Sequence, residues 1–98
     1  MTPLDLRIEE LRPGLCWAAL HGELDAANAY VGGAQLRRVE ERAPAVLLLD
    51  LRGLAFLDST GLARLLAANR RAQRGGWRLV LVRGCAAVQR VLALSGLR

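Results

Sequence analysis

Pro44 closes one segment of this 98-residue chain, and of the next seven residues, Ala45 to Leu51, only Asp50 is not aliphatic. An amphipathic helix would break such a run every third or fourth residue, and a strand with one wet face would alternate. Its longest purely apolar part, Ala45 to Leu49, is far too short to cross a bilayer. A run of this kind suits a central strand covered on both faces, as in a parallel sheet. Parallel neighbours then require crossover connections, usually helices.

The flanking segments supply the helices and further strands. Residues 4 to 9 alternate, with Leu4, Leu6 and Ile8 on one side and Asp5, Arg7 and Glu9 on the other, which predicts a strand with one wet face. Pro13-Gly14 marks a turn, and Leu15 to Leu20 is a second apolar run placed to pair with the first as a hairpin. Gly22-Glu23-Leu24-Asp25 then leaves the sheet, with Asp25 as helix N-cap. Residues 26 to 42 read as a helix with Ala29, Gly33, Leu36, Val39 and Ala43 inward, although Gly32 and Gly33 each cost about 1 kcal/mol there. After Asp58-Ser59-Thr60-Gly61 a second helix buries Leu62, Leu65, Leu66 and Asn69, keeps Arg64, Arg70 and Arg71 largely outside, and stops at Gly75-Gly76. Trp77 to Val82 is a further strand. Cys85 to Leu94 is a last helix with Val88, Val91 and Leu92 inward, closed by Gly96. The order β-β-α-β-α-β-α predicts one small α/β domain over residues 1 to 98. Its β-sheet is mixed and mainly parallel, with helices packed on it.

Composition excludes several classes. Aromatics make up 4% of the chain, so aliphatic side chains must fill the core. The net charge is +5 and every basic residue is Arg, but these residues spread from Arg7 to Arg98 instead of clustering as a nucleic-acid binder requires. Arg74-Gly75-Gly76 resembles an RNA-binding tripeptide, yet it occurs once, where a helix cap is expected. No secretory signal pattern is present, and no membrane insertion is expected. Cys16 and Cys85 read as two buried thiols of a cytoplasmic protein.

Enzyme chemistry finds no footing. Glu23, Asp25, Asp50 and Asp58 are not paired by any pattern for acid–base work, and His21, the one histidine, ends a strand and reads as structural. Gly-x-Ser-x-Gly is absent around Ser59, and neither a Walker loop nor Gly-x-Gly-x-x-Gly occurs, so no cofactor is expected. The Asp58 to Gly61 segment lies between a strand and a helix at the carboxyl end of the sheet, where α/β folds place their sites. Small polar residues there are often only caps. A phosphate on Ser59 would nevertheless meet free backbone N–H groups and the positive end of the helix dipole. It would also set about −1.5 to −2 charge beside Asp58, which the helix tolerates and a docked partner does not.

Leu48-Leu49-Asp50-Leu51-Arg52-Gly53-Leu54-Ala55-Phe56-Leu57-Asp58-Ser59-Thr60-Gly61-Leu62 resembles the signature of STAS domains, specifically the anti-sigma-factor antagonists. Gly22-Glu23-Leu24-Asp25, Trp77-Arg78-Leu79-Val80-Leu81 and Val91 to Leu97 are similar to further family segments, so the resemblance covers nearly the whole chain. It implies a non-enzymatic partner switch. Unphosphorylated, such a protein binds an anti-sigma factor with serine kinase activity and frees the sigma factor; phosphorylation of the serine after the Asp, here Ser59, releases it, and a phosphatase resets it. The resemblance places Asp25, Asp58, Thr60 and Gly61 at the partner-binding face: Asp58 ordering the loop, Thr60 beginning the helix, Gly61 admitting a partner backbone. Position favours Ser59 over Thr60 as phosphoacceptor, since successive helical residues turn by about 100°. The alternative within the fold is a STAS accessory subunit of a membrane lipid-transport ATPase or a stress-signalling scaffold. The family pattern continues into a further strand and helix after the last Ser-Gly-Leu, so a domain ending at Arg98 would be short of those elements.

Overall fold

A computed structural model describes residues 3–95. Its elements run β1 (Asp5–Arg12), β2 (Leu15–Leu24), α1 (Ala29–Glu40), β3 (Val46–Leu57), α2 (Ser59–Gly75), β4 (Arg78–Val82) and α3 (Ala86–Ser95). The strands form one sheet in the order β1-β2-β3-β4. β1 and β2 are the antiparallel hairpin that Pro13-Gly14 predicts, with Gly14 at φ 82°. β2 and β3, and then β3 and β4, pair in parallel through the crossovers α1 and α2. The mixed, mainly parallel sheet and the element order are those expected from the sequence.

Register places one face of the sheet under the helices. Cys16, Ala18 and Leu20 lie beside Leu47, Leu49 and Leu51, flanked by Leu6 and Ile8 on one side and Leu79 and Leu81 on the other. Leu36 and Val39 of α1, Leu65 and Ala68 of α2, and Val88 and Leu92 of α3 close over them in one continuous cluster. The fully buried large side chains are Leu and Val, with Cys16 as a small apolar filler, so aliphatic packing carries the core as composition requires. The opposite face, carrying Trp17, Val46, Leu48, Val80 and Val82, remains half-exposed. The aliphatic block is therefore covered by helices on one face only, not on both as its sequence suggests.

Several boundaries differ from the sequence reading. β3 does not end at Leu51; it runs on to Leu57 beside an equally prolonged β2, with register shifts at Ala19/His21 and Gly22/Glu23 that absorb Gly22 at φ 101°. His21 consequently lies within β2, exposed, instead of ending it. α1 begins at Ala29 and its buried glycine is Gly32, not Gly33. A Cβ on Gly32 would sit 2.8 Å from Leu24 Cδ1, so a tight helix-to-strand contact explains a residue that helix propensity alone disfavours. Ala43 lies past the helix end, exposed at φ 52°. In α2 the fully buried positions are Gly61, Leu65, Ala68 and Ala72, while Leu62, Leu66 and Asn69 are half-buried at the margin. The helix stops at Gly76, φ 74°, the left-handed cap predicted for the glycine pair. Trp77 precedes β4 and packs its ring on the core. Cys16 is buried, but Cys85 is exposed, its Sγ 3.7 Å from the Leu54 carbonyl. Gly96 lies outside the described residues.

Candidate functional site

The carboxyl ends of β2 and β3 bring two acidic turns together. Asp58 is the N-cap of α2: its Oδ1 accepts the Gly61 N–H at 2.8 Å, and its Oδ2 accepts the Ala26 N–H of the neighbouring turn at 2.9 Å. The Asp58 N–H in turn donates to the Leu24 carbonyl at 3.3 Å. One side chain thus caps one helix and ties it to the turn that starts the other, which is the loop-ordering role expected of Asp58.

Asp25 holds the second turn but is not a helix N-cap. Its Oδ1 accepts the Ala27 and Asn28 N–H groups at 2.9 and 3.3 Å, forming a turn that delays α1 to Ala29. Asn28 takes the N-cap position and bonds backward, its Oδ1 accepting the Asp25 N–H at 3.0 Å and its Nδ2 donating to the Glu23 carbonyl at 2.7 Å. Sequence reasoning missed Asn28. The signal was an Asp-x-x-Asn spacing in which either residue is an acceptable cap.

α2 begins at Ser59, not at Thr60 as expected, because Asp58 caps it, and both hydroxyl residues are exposed. Among the described residues the N–H groups of Ser59 and Thr60 have no acceptor; Gly61 and Leu62 spend theirs on Asp58. Ser59 therefore stands at the positive end of a 17-residue helix beside two unspent donors. Gly61 points the other way. It is buried, and the backbone it admits is the chain's own: a Cβ there would lie 2.5 Å from the Leu24 carbonyl oxygen. The expected partner-facing role of Gly61 is corrected to an internal contact. Ala26, whose N–H the Asp58 carboxylate holds, is exposed, as is Ala27 beside it.

The family model of the STAS domain matches residues 9–98. The chain belongs to the STAS domain family. Solved structures with the same fold include an anti-sigma factor antagonist from Mycobacterium paratuberculosis (24% identity, TM-score 0.81, covering 96% of this chain and 79% of that one). Another is the anti-sigma factor antagonist SpoIIAA in its unphosphorylated form (23% identity, TM-score 0.79, covering 95% and 82%). A third is a sulfate transporter family protein from Wolinella succinogenes (19% identity, TM-score 0.72, covering 90% and 71%).

The open face of this STAS sheet holds a network the sequence reading did not foresee. Asp50 is buried under Trp17, whose Nε1 donates to Oδ2 at 3.1 Å, and Arg52 binds the same carboxylate through Nε and Nη2, the latter at 2.7 Å. The hydrogen-bonded Arg52 side chain holds the Asp50 carboxyl at about 2, below its ordinary 3.8. A pKa lowered by folding stabilises the fold above the ordinary value, and that stabilisation is lost as pH falls from about 3.8 toward 2. Because Arg52 is mostly exposed, solvent screening limits the size of this contribution. Asp50→Asn is expected to flatten the pH dependence of the thermal midpoint over this window; an unchanged acid limb would contradict the role given to Asp50.

Proposed function

We propose that this STAS domain is a cytoplasmic anti-sigma-factor antagonist whose partner binding is switched by phosphorylation of Ser59. The observation that carries this reading is the placement of Ser59: exposed, first in α2, next to unspent Ser59 and Thr60 N–H groups, with the Asp58 carboxylate already engaged by Gly61 and Ala26. A phosphate ester there is compatible with the helix dipole and needs no rearrangement of the core. It adds about −1.5 to −2 charge beside Asp58 and Asp25, where an approaching partner must desolvate the surface. The switch is local charge on a fixed scaffold. The fold-level likeness to SpoIIAA, which has been solved in both unphosphorylated and phosphorylated forms, supports the reading. The kinase is the anti-sigma factor itself, and a phosphatase returns the domain to its binding form. Asp25, Asp58 and Thr60 frame the contact surface, and no chemistry is assigned to the domain.

Phosphopeptide mapping of the chain purified from its native cells tests the site. Phosphate is expected on Ser59 and absent from Ser59→Ala. Phosphate on Thr60 with Ser59 unmodified would overturn the assignment.

A further inference from the structure

Arg71 does not lie outside α2 as its sequence position suggests. Its Nε and Nη2 donate to the two carboxylate oxygens of Glu40 at 2.6 and 2.7 Å, both side chains being mostly buried, so its charge is spent within the domain. Arg71 also lines a groove of about 240 Å³ between α1 and α2. Gly33, Ala34 and Ala67 line it too, and their side chains are too short to fill it. Arg64 lies across Gly33, its Cδ 3.1 Å from where a Cβ would stand, and Arg37 lines the same groove. Among the described residues neither Arg37 nor Arg64 has a carboxylate within 4.0 Å. Tyr30, 80% exposed, lines the groove as well.

We propose that this groove binds an acidic peptide segment of a protein partner, its carboxylates meeting Arg37 and Arg64. Charge complementarity selects the occupant. Two unpaired guanidinium groups face one shallow channel on a chain of net charge +5, and planar guanidinium binds carboxylate bidentately. Tyr30 offers an apolar flank at little entropic cost. A nucleic-acid strand requires a longer track of phosphate contacts and several stacking surfaces, whereas the groove offers two free arginines and one ring. Ser59 does not line the groove, and the inference does not depend on phosphorylation.

The probe is a fluorescein-labelled hexaglutamate peptide, titrated by fluorescence anisotropy and mapped by amide NMR shifts. Saturable binding with shifts centred on Gly33, Ala34 and Ala67 is expected. The double variant Arg37→Gln/Arg64→Gln should weaken it about tenfold. Arg78→Gln/Arg83→Gln, with the same charge removed elsewhere, should stay within about twofold of wild type. Circular dichroism checks that both variants fold. Ser59→Glu should still bind at the groove, which separates failure here from failure of the phosphorylation reading. Equal losses in the two double variants, shifts spread over the surface, or tighter binding of a single-stranded oligonucleotide at the same amides would each overturn the proposal.

Discussion

Gly61→Ala is expected to destabilise the domain by about 3 kcal/mol, the upper part of the range for overpacking a tight site. The added Cβ would stand 2.5 Å from the Leu24 carbonyl oxygen and 2.8 Å from Leu24 Cγ. The first of these neighbours is backbone at the end of β2, held by its pairing with Leu57 on β3, and cannot swing aside as a long side chain would. Relief requires the first turn of α2 to back away from the sheet. That movement would stretch the Gly61 N–H···Asp58 bond and draw Asp58 from Ala26. Urea unfolding monitored by far-ultraviolet circular dichroism measures the change. A loss below about 1 kcal/mol would show that the turn yields readily, contrary to the tight contact described.

Asp58→Ala is expected to cost about 2 kcal/mol. Loss of an N-cap accounts for about 1 kcal/mol, and loss of the bond to Ala26 for the rest, reduced because that bond is exposed and water can replace it. Asp58→Asn separates the two. Its amide oxygen can still cap Gly61, but its NH₂ faces the Ala26 N–H, so an intermediate loss is expected. Equal stability of the Ala and Asn variants would place the whole effect in the tie to Ala26. The same series should loosen the α1 start, visible as faster amide hydrogen exchange at Ala26 to Asn28; unchanged exchange there would deny the bridging role.

The order of elements was legible because each signal was local: alternation in Leu4 to Glu9, the aliphatic block at Ala45 to Leu51, the Asp58 to Gly61 segment before a helix and the stop at Gly75-Gly76. What was not legible depends on contacts between distant segments. Gly32 is an unfavourable helix residue until Leu24 is seen beside it. Gly61 looked like an opening for a partner until the Leu24 carbonyl appeared 2.5 Å from its missing Cβ. Arg71 at a helix surface gives no sign of Glu40, thirty-one residues earlier. The extension of β3 through Arg52 to Leu57 breaks the hydrophobic run, because that stretch borders the prolonged β2 through irregular register. The site loop itself was recognisable, as Asp58 and Ser59 act within a few residues of chain. Its tie to Ala26 and Asp25 was not, since only the sheet brings those turns together.

The central claim is that charge at Ser59 controls partner binding, and a paired pull-down from native cell lysate tests it most directly. Wild-type domain and Ser59→Glu serve as baits, with bound proteins identified by mass spectrometry. A small serine kinase retained by wild type and lost from Ser59→Glu is the predicted result. The same transport ATPase or large scaffold held equally by both baits would contradict the switch and assign the domain to an accessory role instead.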